Sequence, residues 1–201
     1  MKKVKWLLIL LILSVKVYGQ KAEEYYDKGI EKYKIQDFNG AIPEFSKAIE
    51  INPKYSMAFY CRGLTKTNLH DFNGAIDDFS KAILIDPMLS KAYNNRGNVK
   101  GILLDYKGAI SDFSKALELD PKHALAFYNR ANAKEKLQDL NGAISDYSKA
   151  IEIDPNYAEA FLNRGLIKIV IGQKGSGCLD LKKAGDFGLL KANDAIKKFC
   201  N

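Results

Sequence analysis

A block of 34 residues repeats four times without a gap between residues 22 and 157, and this period constrains the fold more than any other feature. A single block of this length cannot bury its own apolar residues, so it must pack on its neighbours. Consecutive packing builds a stack of repeats and not a globular core. Each block closes on a proline preceded by Asn or Asp, at Pro53, Pro87, Pro121 and Pro155.

Small and aromatic residues recur in register with these prolines. Two alanine columns enclose an aromatic column in the second half of each block: Ala41, Ala75, Ala109 and Ala143; Ala48, Ala82, Ala116 and Ala150; Phe45, Phe79, Phe113 and Tyr147. A small residue recurs in the first half, at Gly29, Gly63, Gly97, Ala131 and Gly165. Glycine costs a helix about 1 kcal/mol relative to alanine, so the column predicts places where two helices touch closely.

In this combination of columns the chain resembles the tetratricopeptide repeat family, in full over residues 22–157 and in degraded form to about Ala184. The resemblance implies an all-α fold, an α-solenoid (superhelix) of antiparallel helix pairs. The expected domain, residues 20–201, has repeats at 22–55, 56–89, 90–123 and 124–157, a degenerate fifth at 158–188 and a capping helix at 189–200. The family also implies a surface that binds other proteins, without saying which.

Each repeat is predicted to form a helical hairpin, because apolar residues fall at helical spacing on both sides of a polar turn. Asn39, Asn73 and Asn141 are expected to cap the second helices, whereas Lys107 cannot do so in the third repeat. In the degenerate repeat the second helix is expected from about Gly177 to Ala184.

The first residues predict an export signal. Three lysines within the first five residues precede an apolar run, Trp6 to Leu13, which is shorter than the roughly 20 residues that span a membrane. A basic start, a short apolar centre and a small residue are typical of a secretory signal peptide at 1–19, cut between Gly19 and Gln20. An uncleaved membrane anchor is the alternative. We therefore expect an exported protein of the bacterial periplasm, envelope or exterior.

Export also accounts for the basic balance of the chain. Removing the four lysines of the leader lowers the formal net charge from +7 to +3. Nucleic-acid binding would require a clustered basic face, which the sequence does not show. The expected partner is another protein or peptide, with no nucleic acid, and with membrane contact only if the leader stays uncleaved.

Two of the three cysteines are predicted to form a disulfide. Cys178 and Cys200 are equally far from Leu189, so two helices folded back at that residue bring the sulfurs to one level. An exported protein reaches an oxidising compartment, where the bond is stable. Two buried thiols are the alternative, because helix phase can keep the sulfurs apart. Cys61 is interpreted as a small, partly buried side chain.

Asparagines and tyrosines recur along the first helices, which line the concave groove in the family that the chain resembles. An amide can donate to and accept from an extended peptide, and tyrosine adds apolar area with a polar tip. The predicted partner-binding residues are Tyr26, Tyr60, Asn94, Asn95, Asn98, Tyr128, Asn129, Asn132 and Asn163. The alternative is that Asn and Tyr are simply common at these places.

An arginine column accompanies an acidic column. The residues are Arg62, Arg96, Arg130 and Arg164 on first helices, with Lys28 in the first repeat, and Glu44, Asp78, Asp112 and Asp146 on second helices. Since guanidinium and carboxylate groups pair through two hydrogen bonds, we expect structural ion pairs between helices. An anion-binding groove is the alternative.

The sequence contains no motif that predicts catalysis. His70 and His123 lie in different repeats without a repeated set of metal ligands, and phosphate loops, HExxH and serine elbows are absent. The family's clamp for acidic C-terminal peptides is not expected, because Asn94, Glu159 and Asn163 occupy places where it needs basic residues.

We therefore predict a non-enzymatic scaffold without cofactor or metal, whose groove binds a peptide or helix. The alternatives are a membrane-anchored assembly or chaperone-like factor of the cell envelope, and an enzyme with an unrecognised site.

Overall fold

The computed structural model describes residues 20–200, so the predicted leader and its last residue, Gly19, lie outside the described part. Helix α1 is followed from residue 20 to residue 34 and therefore includes Gln20. The further helices are α2 Phe38–Ile51, α3 Ser56–Asn68, α4 Phe72–Ile85, α5 Ser90–Ile102, α6 Tyr106–Leu119, α7 Ala124–Lys136, α8 Leu140–Ile153, α9 Ala158–Val170, α10 Lys174–Asp186 and α11 Leu190–Phe199.

These eleven helices of residues 20–200 confirm the predicted all-α solenoid, with helix pairs and no strand in that range. The chain forms two compact units, and the boundary between Val99 and Lys100 falls within α5. In the first unit α3 packs on α2 and α4; in the second, each helix from α6 to α11 packs on the next. None of the helices in the described range is both long and apolar enough to cross a membrane.

The predicted asparagine caps are wrong, because an aspartate two residues earlier is the N-cap of each second helix. Asp37 accepts a hydrogen bond from the backbone N–H of Gly40 at 2.9 Å, and Asn39 lies one residue inside α2. The third repeat is capped in the same way by Asp105, although it carries Lys107 where the others have asparagine. The four caps are Asp37, Asp71, Asp105 and Asp139.

The glycine column marks close approaches between the two helices of a hairpin. A Cβ atom at Gly63 would lie 2.8 Å from the ring of Phe79, and one at Gly29 would lie 2.6 Å from the ring of Phe45. Both rings are fully buried. The helices can therefore pack at this distance only without a side chain on α1 and α3 at these positions.

Arginines on first helices connect consecutive hairpins. Arg62 of α3 donates from Nε and Nη2 to the two carboxylate oxygens of Asp78 on α4, at 2.9 and 2.7 Å. Its Nη1 donates to the hydroxyl of Ser46 on α2, at 2.9 Å. One guanidinium thus holds its own hairpin together and ties it to the preceding one. We call this three-residue arrangement the arginine staple.

The staple recurs in the second unit. Arg130 bonds Asp146 and Ser114, and Arg164 bonds Asp180 and Ser148. Asp180 was not among the predicted paired acids, although it follows the same 34-residue spacing.

A lysine one turn after each arginine shares its carboxylate. Lys66, Lys134 and Lys168 lie 2.7 to 2.8 Å from Asp78, Asp146 and Asp180, respectively. For the third repeat, Arg96 donates to Ser80 within the first unit, and Lys100 pairs with Asp112 within the second.

The first repeat departs from this arrangement. Glu44 lies 3.6 Å from Lys32 and 3.8 Å from Lys47, while Lys28, at the arginine place, pairs with Glu24 on its own helix. One carboxylate oxygen of Glu44 is buried without a hydrogen-bond partner. The first repeat has no preceding hairpin in the described range, so the staple has nothing there to hold.

The second unit ends on a helix held by a covalent bond. Helix α10 begins at Lys174, three residues before the predicted start. Cys178 of α10 and Cys200, which ends α11, are joined by a disulfide. Ala192 is the one buried residue of α11. Ala195, Ile196 and Phe199 are partly buried, so the disulfide adds a covalent link to the packing of α11 on α10.

The staples predict a specific loss of stability. The Asp146 side chain is 5% exposed and holds both Arg130 and Lys134, so Asp146→Asn leaves two cations without their counter-charge. We expect the free energy of unfolding in urea to fall by about 3 kcal/mol. The matched control is Glu152→Gln, whose 67% exposed side chain pairs with Lys149 on the same helix and should cost less than about 1 kcal/mol. Equal unfolding midpoints for the two variants would contradict the role given to the staple.

Candidate binding face of the first helices

Tyrosine and asparagine side chains of successive first helices are hydrogen-bonded to each other. In the first unit, Asn95 of α5 donates from Nδ2 to the hydroxyl of Tyr60 on α3, at 3.0 Å. Asn95 also donates to the carbonyl of Lys91 on its own helix, at 2.9 Å. In the second unit, Asn163 of α9 donates to the hydroxyl of Tyr128 on α7, at 3.3 Å. We call each of these couples a Tyr–Asn pair.

The hydrogen bond within each Tyr–Asn pair leaves one donor and one acceptor of the pair unused. The tyrosine oxygen accepts the amide hydrogen, so its own O–H hydrogen remains to be donated. The asparagine uses its amide nitrogen within the pair, so its Oδ1 remains an acceptor. A peptide group offers the complementary C=O and N–H. The pair is therefore suited to bind the main chain of an extended segment.

Aromatic rings hold the tyrosines of these pairs in place. Tyr60 packs on Phe79 with ring centroids 5.9 Å apart, and Tyr128 packs on Tyr147 at 5.7 Å and on Tyr157 at 4.9 Å. Burial raises the pKa of Tyr60 to about 12. The hydroxyl therefore stays protonated and able to donate at physiological pH.

Two predicted face residues differ from this arrangement. Asn94 is only 4% exposed, and its Oδ1 is buried without a hydrogen-bond partner, so its side chain is not available on the surface of the chain as described. Tyr26 has Cys61 at the asparagine place, with the hydroxyl 3.5 Å from Sγ. Cys61 has no amide oxygen, so this couple lacks the acceptor that the Tyr–Asn pairs have. Its thiol is only a weak hydrogen-bonding group, and burial raises the pKa of this thiol.

The remaining predicted asparagines are partly exposed and make interactions of their own. Asn98 and Asn129 both have partners in the structure. Asn132 accepts a hydrogen bond from Asn163 Nδ2 at 3.2 Å.

The second unit contains a polar network that sequence analysis missed. Tyr147 of α8 lies 2.5 Å from Asn132 Oδ1 and 3.0 Å from Glu135 Oε2, and its oxygen accepts from Asn163 at 3.3 Å. Burial, and next the negative charge of Glu135, raise the pKa of Tyr147 well above its usual value. The signal was a tyrosine in a column that holds phenylalanine at Phe45, Phe79 and Phe113.

Two clefts lie beside this network. A cleft of about 520 Å³ is lined by the Tyr–Asn pair of the second unit together with Glu159, Leu162 and residues 188–191. A cleft of about 280 Å³ is lined by Glu135, Lys136, Gln138, Leu140, Leu166, Ile167 and Val170. Both combine an apolar wall with a few polar groups, as sites for a peptide side chain do.

These groups provide hydrogen bonds and apolar contacts. Across residues 20–200, no three side chains of His, Cys, Asp and Glu are grouped as metal ligands.

Family models match three parts of the chain. Two matches are described as tetratricopeptide repeats, at residues 22–55 and 90–123, and one as a TPR repeat, at residues 136–168. Together they cover half of the chain. No curated protein sequence gives a significant match.

Solved structures of repeat proteins resemble this fold closely. The crystal structure of MamA has 25% sequence identity and a TM-score of 0.77, over 82% of this chain and 96% of that one. YrrB, described as a TPR protein with an unusual peptide-binding site, has 22% identity and a TM-score of 0.77, over 92% and 97%. PilW, a type IV pilus biogenesis factor, has 23% identity and a TM-score of 0.72, over 84% and 78%. At the identities of the last two, the likeness shows the fold.

The buried position of Tyr60 predicts late ionisation. Since its pKa is about 12 in the folded chain and about 10 when unfolded, it stabilises the fold below pH 10, and this contribution is lost as the pH rises toward 12. At about pH 10.5 an ordinary tyrosine is mostly ionised. We expect the folded chain and Tyr60→Phe to show equal phenolate absorbance at that pH. A lower absorbance for the variant would show that Tyr60 is not held as described.

Proposed function

Since the chain belongs to the tetratricopeptide repeat family, whose repeats generally mediate protein–protein interaction, we propose that it is a non-enzymatic scaffold that binds an extended segment of a partner protein. The segment lies on a Tyr–Asn pair of the first helices within one unit. Its main chain accepts from the tyrosine hydroxyl and donates to the asparagine Oδ1.

One observation carries this proposal. The Tyr–Asn pair occurs in both units with the same residue spacing and the same donor, Tyr60 with Asn95 and Tyr128 with Asn163. Each pair leaves the same two groups unsatisfied, in the same order. A structural hydrogen bond alone would not require the same donor and the same acceptor to be left over in both units.

Binding to such a face costs little ordering. The asparagine amides and tyrosine rings are already fixed by each other and by the rings behind them, so the partner does not have to immobilise them. The main cost is the ordering of the partner segment itself. YrrB, a similar structure, is described as having a peptide-binding site, which is consistent with this use of the fold.

We further propose that the protein acts in the cell envelope or outside the cell. The predicted leader, the disulfide between Cys178 and Cys200 and the likeness to a pilus biogenesis factor support this location. Retention of the leader would make the protein a membrane-anchored assembly or chaperone-like factor with the same binding face. N-terminal sequencing after cell fractionation separates the two forms.

Removal of the amides predicts loss of binding. Asn95→Ala with Asn163→Ala removes the Oδ1 acceptors of both pairs, and we expect a partner captured from envelope extracts to be lost, with binding at least about tenfold weaker. The matched control is Asn73→Ala with Asn141→Ala. These two asparagines are exposed in the first turns of α4 and α8 and cap neither helix.

The comparison of these two variants shows whether the partner binds the Tyr–Asn pairs of the first helices or the second helices. Partner capture should survive in the control and fail in the Asn95 and Asn163 variant. If the same proteins are captured equally by both variants, the Tyr–Asn pairs are not the binding surface.

A further inference from the structure

Two residues that depart from the repeat pattern face each other in the second unit. Glu135 stands in a column that otherwise holds Tyr33, Thr67, Gly101 and Ile169. Tyr147 stands in a column that otherwise holds Phe45, Phe79, Phe113 and Leu181. The Tyr147 hydroxyl and Glu135 Oε2 are 3.0 Å apart. Among the repeats, the hairpin of α7 and α8 is therefore the one that has both a carboxylate and a hydroxyl at these two places.

Satisfying the Tyr147 hydroxyl does not require this carboxylate. A phenol has one hydrogen to donate, and Asn132 Oδ1 lies nearer to it, at 2.5 Å, than Glu135 does. Asn163 supplies the hydrogen bond that the phenol oxygen accepts. Tyr147 thus has its partners without Glu135, and Glu135 gains at most a shared hydrogen.

Glu135 also lacks a positive partner. The acids of the staples, Asp78, Asp146 and Asp180, each bind an arginine and a lysine. Within residues 20–200 no cation lies within ion-pair distance of Glu135. Because a partly buried carboxylate gains from a counter-charge, this position favours a cation from outside the chain.

The surroundings of Glu135 fit a long basic side chain. The carboxylate lines the cleft of about 280 Å³ with Gln138 and with Lys136, which does not pair with it, and the apolar wall is formed by Leu140, Leu166, Ile167 and Val170. Val170 is 75% exposed. Lysine and arginine stems lie along apolar surface while their charged ends reach a polar group. A charge beside an apolar wall is the complement of such a side chain.

We propose that Glu135 is the subsite for a lysine or arginine of the segment bound on the Tyr–Asn face. The inference rests on the proposed function, because the buried Tyr147 hydroxyl joins Glu135 to Asn163 through hydrogen bonds, and Leu166 and Val170 of the Glu135 cleft stand on α9 with Asn163. The main chain is held at Tyr128 and Asn163, the basic stem lies on Leu166 and Val170, and the charged end pairs with Glu135.

A random heptapeptide library displayed on phage tests this assignment on the full chain. We expect recovered peptides to carry Lys or Arg at one fixed position, enriched at least about fivefold over the unselected library. On Glu135→Gln, which keeps an oxygen acceptor for Tyr147 but removes the charge, the enrichment should fall to the library level. A titrated lysine peptide should bind that variant about tenfold more weakly.

Two control variants separate this inference from the proposed function. Glu152→Gln removes a carboxylate of the same unit that is 67% exposed and paired with Lys149, and it should leave the enrichment unchanged. Asn163→Ala should lower the recovery of all peptides, whatever their charge.

The possible failures are distinguishable. A basic preference that survives in Glu135→Gln, no basic preference at all, or loss of every peptide by Glu135→Gln would each overturn the Glu135 subsite. In the second case, recovery that still depends on Asn163 leaves the proposed function standing. Recovery that is equal on Asn163→Ala and on the unchanged chain would overturn the proposed function and this inference with it.

Discussion

A guanidinium shared between a carboxylate and a hydroxyl joins successive hairpins within each unit. In each complete staple the arginine stands on a first helix, the carboxylate on the second helix of its own hairpin and the hydroxyl on the preceding hairpin. The guanidinium has rigid, planar geometry, so it fixes distance and angle together. Apolar packing alone would hold the helices together with less control of their relative rotation.

This fixed rotation places the Tyr–Asn pairs. Arg130 and Tyr128 stand two residues apart on α7, and Arg164 and Asn163 are adjacent on α9. The staples hold α7 and α9 to the same helix, because Arg130 binds Asp146 and Arg164 binds Ser148, both on α8. The side chains that make the candidate face therefore take their positions from the side chains that hold the stack. The charged side chains of the staples hold the helices together, and the neutral amides and hydroxyls of the Tyr–Asn pairs form the candidate binding face.

The 34-residue period of the sequence predicts the helix pairs and their packing. Repeated Ala, Gly and aromatic columns determine the helix pairs, because each column corresponds to one contact made again in every repeat. The asparagine caps were wrong for a local reason: aspartate at the true cap lies only two residues before Asn39, and the pattern does not separate the two without backbone geometry. The buried position of Asn94 depends on which way a side chain points, which the spacing of first-helix residues does not specify.

Departures from the period were the least predictable part. Tyr147 and Glu135 are visible in the sequence as odd members of two columns, but they lie 12 residues apart, and their contact depends on how α7 packs against α8. Likewise, the hydrogen bond between Asn163 and Tyr128 spans 35 residues and arises only once the hairpins are stacked. The repeat pattern therefore predicts the helix pairs, whereas the residues that depart from it, Tyr147 and Glu135, form the contacts that the pattern does not predict.

The proposed function requires Tyr–Asn pairs that are formed before binding and receive the main chain of a partner. A crystal structure of the full chain with a bound heptapeptide would locate the peptide directly. We expect a peptide N–H within about 3.2 Å of Asn163 Oδ1, a peptide carbonyl at the same distance from the Tyr128 hydroxyl, and an unbroken hydrogen bond between Tyr128 and Asn163. A peptide seated on the second helices, or a face whose Tyr–Asn pairs separate on binding, would contradict it.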